Sequence, residues 1–128
     1  MSDLPGLWPS LSSPDPRALV TFLTSALDFT ERAVHTGDDG TIVHAELVRT
    51  GSTGAPGGVM LGPAHDGCRP PGGAAVHLVC DDPDALFARA VAAGATVVHA
   101  PFDADYGSRL FEIADPDGNH WSGGTWYE

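Results

Sequence analysis

The pentapeptide Asp15-Pro16-Arg17-Ala18-Leu19 returns as Asp82-Pro83-Asp84-Ala85-Leu86, 67 positions later in a chain of 128 residues. An echo at half the chain length points to a fold built from two similar halves, if the flanks repeat with it. In each copy the aspartate can cap a helix by accepting from its first free amides, and proline at the first helical position forfeits no intrahelical hydrogen bond. Leu19, Phe22, Leu23 and Ala26 then fall on one helical face, as do Leu86, Phe87, Ala90 and Val91. Gly94 offers the second helix a left-handed stop.

The flanks repeat as well. A short strand precedes each helix, Leu7 to Ser12 in the first half and Ala74 to Cys80 in the second. Three extended runs follow each helix: Phe29 to His35, Thr41 to Arg49 and Gly58 to Leu61, then Thr96 to His99, Ser108 to Ala114 and His120 to Trp126. Gly37-Asp38-Asp39-Gly40 and Asp115-Pro116-Asp117-Gly118-Asn119 carry turn residues between successive strands. Each half therefore reads β-α-β-β-β. The modules span about 7–62 and 74–127 of a single domain over 1–128, and the glycine- and proline-rich stretch 63–73 links them.

Composition narrows the partners. Seventeen acidic residues against six basic ones give a formal net charge of −11, which disfavours a nucleic acid or a membrane surface and favours a cationic or neutral partner. All six basic residues are arginines, so Schiff-base catalysis and the lysine of a phosphate-binding P-loop are excluded. Cys68 and Cys80 are too few for a disulfide scaffold, and neither has a visible activating partner. The first residues carry no basic segment followed by an apolar run, and no stretch approaches the ~20 apolar residues of a membrane span. These features predict a cytoplasmic protein.

The order of the motifs resembles the vicinal oxygen chelate superfamily, which holds glyoxalases, extradiol dioxygenases and bleomycin-resistance proteins. The likeness runs from about Trp8 to Tyr127. It rests on His44-Ala45-Glu46-Leu47, the Asp82 pentapeptide, Ala93-Gly94-Ala95, Tyr106-Gly107-Ser108-Arg109 and Asp115-Pro116-Asp117-Gly118-Asn119-His120-Trp121. The resemblance implies an α+β fold in which two βαβββ modules form a curled mixed sheet around an open cleft, with helices on the outer face. It also implies a homodimer. Metal-dependent members of the superfamily carry histidine and glutamate ligands on the first, fourth, fifth and eighth strands. Matched position by position, this chain has Trp8, Met60 or Leu61, Ala75 and Ser122 there. Tryptophan, leucine and alanine offer no lone pair to a divalent cation, and methionine and serine are poor ligands for hard or borderline ones. The implication is no metal at the usual stations and no cofactor.

Strand alternation assigns faces. Large apolar residues should point at the helices: Val43, Ala45 and Leu47, Val76 and Leu78, Phe111 and Ile113, and Trp121. The opposite face collects Trp8, Ser10, His44, Glu46, His77, Glu112, His120 and Ser122. Met60 joins them as apolar contact, and Tyr106 stands in a loop that rims the cleft in the superfamily. A one-residue slip would invert any of these assignments. Three readings of this face stand side by side. It is a relocated metal site of histidines and carboxylates, a polar and partly aromatic binding cleft, or, for His44 and Glu46, ordinary surface or dimer-interface residues.

The leading expectation is a metal-independent small-molecule binding protein like the bleomycin-resistance branch, a homodimer sequestering a cationic drug or natural product in its cleft. No catalytic residue is assigned. The alternative is a metal-dependent glyoxalase-type lyase or a dioxygenase working through relocated His44, Glu46, His77, Glu112 or His120. A non-catalytic accessory protein acting through its dimer surface is a third expectation.

Overall fold

Both repeated pentapeptides cap helices. In the computed structural model, which describes residues 4–51 and 54–125, the Asp15 carboxylate accepts from the Ala18 amide at 3.1 Å and Asp82 from the Ala85 amide at 3.0 Å. Each opens a helix whose first residue is a proline: α1 over Pro16–Ala26 and α2 over Pro83–Ala92. The strands are β1 (Ser10–Ser13), β2 (Thr30–Thr36), β3 (Ile42–Thr50), β4 (Pro56–Pro63), β5 (Ala75–Val79), β6 (Thr96–Asp103), β7 (Arg109–Ala114) and β8 (His120–Gly124). Each module makes its own four-stranded mixed sheet, in the orders β1-β4-β3-β2 and β5-β8-β7-β6. β1 runs parallel to β4 and β5 parallel to β8, the pairings that a helical crossover permits, and the other pairs are antiparallel. The α+β class and the doubled β-α-β-β-β order agree with the sequence, and the two sheets stay open and separate.

Several expected boundaries move. β1 starts at Ser10 rather than Leu7, because Pro5 and Pro9 lack the N–H that a ladder needs, and Leu7 is 80% exposed. β4 and β6 are longer than the alternation suggested. β8 ends at Gly124, and Trp126 lies outside the described residues. Val91 was expected on the buried stripe of α2 but is 43% exposed, since the stripe closes on Leu86 and Ala90. Phe87 is half-buried against Phe111, ring centroids 5.6 Å apart.

Val43 also reverses its expected facing. His35 pairs with His44 and Thr36 with Ile42, so Val43 is the extra residue of a bulge. Ile42 takes the inward place and Val43 is 51% exposed. From His44 onward the alternation runs as expected, with Ala45 and Leu47 buried.

The helix-facing residues of both sheets and the apolar stripes of both helices form one buried cluster. Phe29 of the first module meets Trp121 of the second edge to face, centroids 5.7 Å apart. Arg89 of α2 reaches across to donate to the carbonyls of Ser25 at 2.8 Å and Thr24 at 3.0 Å, satisfying the C-terminal turn of α1, and pairs with Asp28 at 3.3 Å. The apolar faces therefore look inward on a shared core. The turn into β8 is anchored by buried Asp115, whose carboxylate accepts from the amides of Asp117 and Asn119, the Asn119 side chain and the Trp121 indole at 2.9–3.0 Å.

Candidate functional site

The polar face of the first sheet holds the first-half residues singled out in the sequence. Trp8 lies ahead of β1 with its indole N–H donating to the Pro5 carbonyl at 3.0 Å. Its ring covers Gly58, where an added Cβ would fall 2.7 Å from two ring carbons. Ser10, Met60 and Glu46 follow in one transverse row, Ser10 opposite Met60 and Met60 opposite Glu46. His44 Nε2 lies 2.9 Å from Glu46 Oε2, and Arg32 donates to Glu46 Oε1. The His44 hydrogen bond, followed by the charge and hydrogen bond of Arg32, holds the Glu46 carboxyl below the usual carboxylate range. His35 stacks on His44 with centroids 5.9 Å apart.

The second sheet carries the same row in other residue types. His77 stands opposite Ser122, Ser122 opposite Glu112, and Glu112 opposite His99. His77 Nδ1 lies 2.7 Å from Ser122 Oγ, and burial pushes the imidazole below the ordinary histidine pKa. His120 Nδ1 is 3.7 Å from Glu112 Oε1. Tyr106 sits in the turn between β6 and β7, 55% exposed. Beside it Arg109 donates to both Asp84 oxygens at 2.8 and 3.0 Å and to Asp103 at 3.2 Å, fastening that turn to α2.

The selected strand residues fall in two groups, one on each sheet. Trp8, Ser10, His44, Glu46 and Met60 share the first face, and His77, Glu112, His120 and Ser122 share the second. Sequence reasoning missed Arg32, which occupies an irregularity between Glu31 and Ala33; His35 and His99, read from the sequence as solvent-facing or turn residues, are exposed and lie on strands β2 and β6.

The donor set does not fit the metal centre of the superfamily. Trp8 offers an N–H, Ala75 offers nothing, and Ser122 is engaged with His77. Among the described residues, no group of three or more His, Cys, Asp or Glu side chains is placed to hold an ion. Burial raises the Cys80 thiol pKa, the opposite of an activated nucleophile. Among the described residues no helix is long and apolar enough to cross a membrane.

Known proteins agree with this picture of the fold. The chain is 38% identical over 126 residues to uncharacterised proteins of Mycobacterium tuberculosis and Mycobacterium bovis, an overlap covering 92% of this chain and 72% and 81% of theirs. The crystal structure of TioX from Micromonospora sp. ML1 is similar with a TM-score of 0.75 at 26% identity, over 97% of this chain and 98% of its own. TnmS3, an antibiotic binding protein from Streptomyces sp. CB03234, shares the fold with a TM-score of 0.74 at 23% identity, over 94% and 93% of the two chains. Residues 8–122 match the Glyoxalase/Bleomycin resistance protein/Dioxygenase superfamily, and the chain belongs to that superfamily.

Proposed function

We propose that the protein is a metal-independent binding protein that sequesters a cationic drug or natural product against the polar faces of its sheets, as a cytoplasmic homodimer. The observation that carries this reading is the Trp8 ring laid over Gly58 on the same face as Met60 and Glu46. A flat aromatic surface, an adaptable thioether and an ionised carboxylate are the components that hold an amphipathic cation. The formal charge of −11 adds long-range attraction for such a ligand. On the second face Glu112, His120, His77 and Ser122 supply polar contacts, with Tyr106 as a rim residue. TnmS3 supports the reading to the extent that another protein of this fold binds an antibiotic.

The homodimer is the assembly that the superfamily resemblance implies. A second copy opposing its own second-module face to the first-module face of its partner would close two clefts at once, and light scattering of the purified protein should give twice the 13.3 kDa chain mass.

A calorimetric titration against a panel of cationic glycopeptide and related antibiotics tests the function. The expected result is saturable binding by at least one member, weakened tenfold or more by Trp8→Ala. Uniform absence of heat overturns the reading. Stoichiometric metal in the purified protein, lost on His77→Ala, would overturn metal independence in favour of an enzyme.

A further inference from the structure

A groove of about 480 Å³ opens between the two modules and reaches both polar faces, at Gly58 in the first module and His77 in the second. Phe29 and Trp121 line it together with Val76 and Leu78 of β5. On the β4 side Gly57 contributes no side chain, and Leu7 stands at the groove 80% exposed. An exposed leucine beside an apolar concavity is surface that an apolar ligand would cover. Arg49 also lines the groove, and its partners are neutral. Nε donates to the Leu27 carbonyl at 2.8 Å and Nη1 to the Val79 carbonyl at 3.4 Å. Arg32, Arg89 and Arg109 each hold a carboxylate, whereas Arg49, like Arg17 and Arg69, makes no ion pair among the described residues, and of these three only Arg49 lines the groove. In a chain with seventeen acidic residues, a guanidinium without a counter-ion beside apolar walls is a site of complementary charge for an anion.

We infer that this groove is a second ligand site, for an amphipathic aromatic monocarboxylate. The apolar body lies against Val76 and the small exposed edges of Phe29 and Leu78, Leu7 folds over it, and the carboxylate pairs with Arg49. The volume falls in the lower half of the roughly 300–1,000 Å³ typical of small-molecule sites. The site borders the polar faces at Gly58 and His77 but asks for the opposite charge.

Biphenylacetate and its neutral analogue biphenylacetamide, titrated into the full chain by calorimetry, test the assignment. The acid should bind once per chain and the amide at least tenfold more weakly. Arg49→Gln should weaken the acid tenfold or more. Because Arg49 also joins the modules, Leu7→Asp provides the second variant: it should weaken the acid tenfold or more with an unchanged melting temperature. Glu46→Gln should leave acid binding within twofold. Absence of acid binding, equal binding of the amide, or indifference to Leu7→Asp overturns the assignment. So does a self-association abolished by Leu7→Asp in a protein that binds no acid, which would give the groove to a second copy.

Discussion

His77 Nδ1 and Ser122 Oγ lie 2.7 Å apart across the parallel strands β5 and β8. Burial disfavours the charged imidazole, so the folded pKa lies below the unfolded value of ~6.5. The unfolded chain then takes up a proton before the folded one does. This contribution to stability is complete above ~6.5 and is lost as the pH falls through the folded pKa. Melting temperatures at pH 7.5 and about 5.5 should therefore differ more in the native protein than in His77→Gln. Equal differences in the two proteins would contradict the lowered imidazole pKa.

Gly123 is a packing site on the core face of β8. A Cβ there would meet two Phe111 ring carbons at 2.5 and 2.6 Å, so Gly123→Ala should cost about 1–3 kcal/mol in urea unfolding. Gly73 has open space around it, and Gly73→Ala should stay within about 0.5 kcal/mol. Equal effects at the two positions would contradict the packing.

Asp115 holds four donors in a buried turn. Asp115→Ala leaves them without an acceptor and should destabilise by about 3 kcal/mol or more, because each buried unsatisfied group costs about 1–3 kcal/mol. Asp115→Asn should be nearly as harmful, since its amide group presents donors to donors. Chemical denaturation measures both, and a loss under about 1 kcal/mol would contradict the network's role.

Gly58→Val tests the aromatic surface without touching a polar group. The new side chain would occupy the space of the Trp8 ring and of Pro5, which lies 2.9 Å from the Cβ position. Loss of antibiotic affinity of tenfold or more is expected, with a change in the near-ultraviolet circular dichroism of the tryptophan. An unmoved affinity with a displaced ring would remove Trp8 from the site.

The helices and their caps were legible because an Asp-Pro start is a local signal, and Ala18 and Ala85 donate where that signal places them. Facing was legible wherever alternation is unbroken, as at Ala45, Leu47, Phe111, Ile113 and Trp121, all buried. It failed at Val43, where an inserted residue breaks the period of two without changing composition. The pairing of Glu46 with Arg32 depends on a similar irregularity. How the modules dock was not legible, because Phe29 against Trp121 and Arg89 against the end of α1 are contacts between distant segments with no local signature. For the same reason the groove beside Arg49 emerges only from the packed chain.

Amide chemical-shift mapping of chelator-treated protein, titrated with a cationic glycopeptide antibiotic such as bleomycin, tests the central claim most directly. Saturable shifts centred on Trp8, Glu46, Met60, His77 and Ser122 are predicted, without any added metal. Shifts absent from these residues, or arising only after a divalent cation is restored, would contradict the account.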